Sequence, residues 1–123
     1  MAQFLVLVDG ETGGWRVDPE ALTAAIRDRW TDLEIDPVQR SEVRSVCWYF
    51  QTENGPGEAY LHETGLCLYM DIWQEDAVWL AIVFRGLAPP ELDLVFCDGG
   101  YTFDVRLRPE TTEHELTGLV DAV

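Results

Sequence analysis

The stretch DIWQEDAVWLAIVFRGLAPP, residues 71–90, decides how this chain folds. It holds the longest unbroken apolar run in the protein, residues 77–84, with charges on both sides of it. In a chain of formal net charge -15, such a run belongs at the centre of the core. A short apolar run reads equally well as a buried strand or a buried helix, so the flanks must decide. Asp71 and Gln74 have the spacing of a capping box, and Glu75 and Asp76 put negative charge beside the unpaired first-turn amides. Arg85 falls in the last turn, Gly86 fits the left-handed C′ position, and Pro89 blocks continuation. Val78, Trp79, Ile82, Val83 and Phe84 favour a strand instead. Both end signals agree on a helix over residues 71–86. Apolar on nearly all sides, it requires a sheet against one flank and a second helix or a partner against the other.

Upstream of that helix, residues 43–51 are rich in β-formers and the turn residues Asn54, Gly55, Pro56 and Gly57 follow. Residues 58–63, a Thr64-Gly65 reversal and residues 66–70 complete a three-stranded meander. If both hairpins close symmetrically about their turns, Trp48, Phe50, Tyr60, His62, Cys67 and Tyr69 share one face. Cys47, Tyr49, Ala59, Leu61, Leu66, Leu68 and Met70 then share the other. A slip of one residue in either hairpin would redistribute both sets. Further upstream, residues 3–8 read as a buried first strand, and 9–15 as a loop. Its three glycines cannot cradle phosphate beside Asp9 and Glu11. Asp18, Pro19 and Glu20 open a helix with the stripe Ala21, Leu22, Ala25, Ile26 and Trp30. Asp32, Glu34 and Asp36 lack the glycine turn and distal Glu of a calcium loop and read as a solvated linker.

Downstream, residues 92–97 and 101–107 form a hairpin about Asp98-Gly99-Gly100, its second strand wet on one face. Thr112 and Glu115 make a capping box for a last short helix to about residue 122, interrupted by Gly118. The order is β-α-β-β-β-α-β-β-α: an α+β fold with a mainly antiparallel sheet of about six strands and helices packed on one face. The 123 residues fit a single acidic α+β domain that buries about two-thirds of its unfolded surface.

Charge narrows the function. Asp and Glu total 23 against 8 basic residues, all of them Arg. Direct binding to nucleic acid or to an anionic membrane is disfavoured, while a basic protein would be attracted and steered. No apolar run reaches the roughly 20 residues of a membrane helix, and residues 1–10 lack the basic segment of a signal peptide. Cys47, Cys67 and Cys97 sit in apolar segments without CxxC spacing, so buried reduced thiols and a cytoplasmic location are expected, with no metal and no cofactor. His62 near Cys67 and Glu63 suggests nucleophilic catalysis, but apolar neighbours and a negative field would raise that thiol's pKa. His114 reads as solvated, Ser41 and Ser45 lack a nucleophile elbow, and no catalytic residues are assigned.

The aromatic face remains. Trp48, Phe50, Tyr60, His62 and Tyr69, with Glu58 and Asp104 as acidic surround, suit the anchoring of arginine and aromatic side chains of a partner. Size, charge, the lack of a catalytic motif and this surface together lead to an expectation of a protein-binding domain. Its general appearance is similar to bacterial immunity-type proteins, implying an inhibitor of a basic, nuclease-like toxin. The alternatives are a small-molecule-binding or enzymatic domain with a pocket between the sheet and helix 71–86, and a homodimer joined through the aromatic sheet face.

Overall fold

The computed structural model describes residues 2–30, 32–36, 44–62, 64–100 and 103–122. Ser41, Val43, Glu63, Tyr101 and Thr102, on which some expectations above fall, lie outside the described residues. The elements are β1 (Ala2–Asp9), α1 (Pro19–Arg29), β2 (Glu34–Asp36), β3 (Arg44–Thr52), β4 (Gly55–His62), β5 (Cys67–Ile72), α2 (Gln74–Leu87), β6 (Asp93–Asp98), β7 (Asp104–Leu107) and α3 (Glu113–Asp121). Seven strands form one antiparallel sheet in the order β2-β3-β4-β5-β1-β6-β7. The α+β class with helices on one side of an antiparallel sheet is as the sequence reading expects. The seventh strand is β2, whose residues read as linker. Ile35 pairs with Trp48, and Glu34 and Asp36 keep this short edge charged, which discourages pairing with a foreign strand.

One side of the sheet carries the core. Phe4 and Val6 of β1, Trp48 and Phe50 of β3, Ala59 and Leu61 of β4, and Leu68, Met70 and Ile72 of β5 alternate inward. Leu94 and Phe96 of β6 and Leu107 of β7 continue that layer. Leu22 and Ile26 of α1, Ala77, Leu80, Ala81 and Phe84 of α2, and Leu116 and Val120 of α3 close over it. Each large side chain removed from water there contributes about 1.5–3 kcal/mol. An aromatic cluster joins the layers: Trp30 stacks on Phe50 with centroids 4.4 Å apart and meets Trp79 edge-on at 5.1 Å.

Residues 77–84 are helical, as the end signals imply, but the ends themselves differ. β5 runs through Ile72, which is fully buried, so Asp71 stays in the sheet, opposite Gln3 on one side and Glu58 on the other. Trp73 is the N-cap residue and makes no side-chain capping bond. Gly86 lies within the helix and Ala88 ends it in an extended conformation, ahead of Pro89. The N-cap bonds of α1 and α3 form as expected: Asp18 Oδ1 accepts from the Glu20 amide at 3.0 Å, and Thr112 Oγ1 from the Glu115 amide at 3.1 Å. α3 passes through Gly118 without a break.

Candidate functional site

The β3–β4 hairpin sets the site, and it does not close about the turn residues 54–57. Thr52 pairs with Gly55, leaving Glu53 and Asn54 as the loop and placing Pro56 and Gly57 in the strand. The Thr52 hydroxyl holds this loop, accepting from the Asn54 amide at 3.1 Å and donating to the Gly55 carbonyl at 2.9 Å. Gly57 belongs to the ladder because a Cβ there would lie 2.3 Å from Ile72 Cγ2. The odd register exchanges the faces expected for β3. Trp48 and Phe50 lie under the helices at 0% and 3% exposure, while Cys47 and Tyr49 join Glu58 and Tyr60 on the opposite side. The physical reason is burial: this register puts two large aromatic rings in the core, where their area counts most. The indole N–H of Trp48 even finds a partner there, Thr23 Oγ1 on α1 at 2.9 Å. The grouping of Trp48 and Phe50 with Tyr60 and Tyr69 is therefore corrected.

The β4–β5 register is as expected: Tyr60 faces Tyr69, and their rings stack with centroids 4.6 Å apart. The helix-free face can be read row by row. One row runs Cys47, Tyr60, Tyr69, Leu5, Cys97 and Asp104, from β3 to β7. The next holds Cys67, Leu7, Val95 and Arg106. On the other side lie Glu34, Tyr49, Glu58, Asp71 and Gln3. Leu5, Leu7, Tyr60, Tyr69 and Val95 are half-buried, with no helix of the described residues above them. The face is thus an apolar centre with tyrosines, flanked by carboxylates at Glu34, Glu58, Asp71, Asp9, Asp93 and Asp104.

Of the residues singled out from the sequence, Glu58, Tyr60, Tyr69 and Asp104 come together on this face, and Trp48 and Phe50 do not. His62 ends β4 and is tied into its own turn: its Nδ1 lies 2.9 Å from Thr64 Oγ1 and accepts from the Thr64 amide at 3.2 Å. The sequence reading missed Leu5, Leu7 and Val95 because continuous apolar runs in β1 and β6 hide their alternation. It missed Tyr49 and Asp71 through the hairpin register and the capping-box reading.

Cys67 and Cys97 are held as thiols. Cys67 is pushed up to about 11 by burial, with the Cys97 thiol adding to the rise and a Tyr69 hydrogen bond opposing it. Burial raises Cys97 as well, helped by Asp98 and Asp104. Both are protonated at neutral pH, and the thiolate is the nucleophile. Among the described residues no group of three or more His, Cys, Asp or Glu side chains could hold a metal ion, and no helix is long and apolar enough to cross a membrane.

A separate recess of about 350 Å³ lies where α1 ends and α2 begins, lined by Asp28, Arg29, Trp30, Glu53, Glu75 and Asp76. Two of its charged groups, Asp76 and Arg29, have structural contacts. Asn54 Nδ2 donates to the buried Asp76 at 3.1 Å, pinning the hairpin loop to α2, and Arg29 lies over the Trp79 ring at 4.7 Å. The space between α2 and the sheet is filled by Ala77, Leu80, Ala81 and Phe84, all buried. Compared with known proteins, the chain matches no protein-family model, no curated protein and no solved structure.

Proposed function

We propose that this protein binds a basic protein partner on the helix-free face of its sheet, and that it is an immunity-type inhibitor of a basic, nuclease-like toxin. The observation that carries the reading is the face itself. Half-buried Leu5, Leu7, Tyr60, Tyr69 and Val95 form a centre that no element of the described residues covers, and carboxylates surround it. Apolar and aromatic side chains ringed by polar groups are the anatomy of a protein–protein interface. The surrounding acids and the net charge of -15 select a cationic partner and accelerate its approach. The same charge disfavours a second copy of this chain, which would bring its own carboxylates to the contact. Toxins that act on nucleic acid are commonly basic because they must bind phosphates, so an acidic inhibitor is steered to the surface it must cover.

The test is co-expression with the basic product of a neighbouring gene, followed by binding kinetics of the purified pair. The expected result is rescue of growth, a saturable 1:1 complex, and an association rate that falls as salt is raised. Failure of that product to bind, or association insensitive to salt, would overturn the reading.

A further inference from the structure

Two pairs of acids face each other across neighbouring strands on the helix-free side, Asp9 with Asp93 and Glu58 with Asp71. Like charges directly opposite repel. The first pair shares a cation within the chain: Arg106 Nη2 lies 3.0 Å from Asp9 Oδ2, and its Nη1 lies 3.9 Å from Asp93 Oδ2. The second pair has no ion-pair partner among the described residues. Both its members are half-buried in the sheet surface, so solvent screens them less than it would two exposed acids.

The surroundings of that pair suit a particular cation. Tyr49 stands beside Glu58 on β3, with Glu34 beyond it on β2. A recess of about 190 Å³ lined by Tyr49, Pro56, Gly57, Glu58 and Asp71 opens there. A larger one, about 440 Å³, adjoins it on the side of Glu34 and Asp32 and shares Tyr49. We infer that the helix-free face takes its partner through an arginine side chain seated on Glu58 and Asp71 against the Tyr49 ring. This deepens the reading of the face as a docking surface for a basic protein and rests on it.

Arginine fits better than other cations. Its planar guanidinium presents five donors, enough to bridge two carboxylates, and it stacks on an aromatic face, which a lysine ammonium cannot do in the same geometry. Two carboxylates fall short of the oxygen set a calcium ion takes. The chain itself shows the arrangement once, where Arg106 bridges Asp9 and Asp93 on the same face.

The test is an amide-resolved NMR titration of the intact protein with hexa-arginine and hexa-lysine peptides at low ionic strength. The arginine peptide is expected to saturate, with shifts concentrated at residues 49, 57, 58 and 71, and to bind several-fold tighter than the lysine peptide. The double variant Glu58→Gln/Asp71→Asn should weaken it about tenfold. The control Glu113→Gln/Glu115→Gln removes the same two charges from α3 and should leave affinity within about twofold, since screening over that distance is strong. The spectra themselves report that each variant is folded. Equal losses in both double variants, no preference for arginine, or no saturable arginine binding would each overturn the inference. The reading of the face as a toxin-binding surface would still be judged by growth rescue and partner binding, so the two failures are distinguishable.

Discussion

The Cys67 thiol shows how one side chain can report on the packing of the face around it. It ordinarily ionises near 9.0 and is pushed up to about 11 in the folded protein, chiefly by burial. Folding therefore favours the protonated thiol, and that contribution to stability is fully present below pH 9. It is lost as pH rises through the interval from 9 to 11. Urea unfolding between those pH values should show a stability loss that is smaller in Cys67→Ala, which has no proton to give up. A parallel loss in both proteins would mean that the thiol is solvated. At the same scale, the positions of Tyr60 and Tyr69 were legible because alternation and a tight Thr64-Gly65 reversal agree. Trp48 and Phe50 were not. That Glu53-Asn54 forms the loop, with Gly55 and Pro56 in the strand, depends on a bond from the Thr52 hydroxyl and on the close approach of Gly57 to Ile72, and the second is not a local property of the turn sequence.

Among the elements, α2 is the one whose attachment is most specific. Its Arg85 is 2% exposed and makes no salt bridge among the described residues; it donates instead to the carbonyls of Leu92 at 2.7 Å, Leu107 at 3.3 Å and Pro89. Burial lowers its pKa, and the nearby acids Asp93, Glu110 and Glu91 oppose that shift. One guanidinium thus ties the end of α2 to the start of β6 and the end of β7. Arg85→Met should destabilise the fold by roughly 2–4 kcal/mol in urea unfolding, because the Leu92 and Leu107 carbonyls lose the guanidinium, while Pro89 keeps a bond from the Leu92 amide. Arg85→Lys should fall between, since one ammonium cannot span all three. A loss under about 1 kcal/mol for Met would show that water replaces the guanidinium readily. Element type was legible throughout the chain: hydrophobic period, caps and glycine turns placed three helices and six of the strands. Ends were less so. Asp71 and Gln74 have the spacing of a capping box, but the burial of Ile72 between them makes the first of the two a strand residue. β2 escaped notice because a three-residue edge strand has too few side chains to establish a period.

For the whole molecule, charge is the dominant property. With a net charge of -15 on 123 residues, the compact state repels itself, and added salt should raise the melting temperature until screening is complete. A melting temperature that is flat between about 20 mM and 500 mM sodium chloride would mean that the acids are already compensated locally, as Arg106 compensates Asp9. The sheet order has a different consequence, for the sequence of events in folding. β2, β3, β4 and β5 are joined by successive neighbours and can assemble from local contacts, and β6 with β7 makes a hairpin of its own. β1 joins the two blocks, yet Leu5 must find Tyr69 on one side and Cys97 on the other. Early in the chain and central in the sheet, it is paired on both sides only once both blocks exist. On the ribosome, closure of the sheet must therefore wait for β6 to emerge. Until then the edge of β1 that β6 will cover stands open, and the interval in which this acidic chain is vulnerable to mispairing is set by the arrival of its later strands rather than by its first.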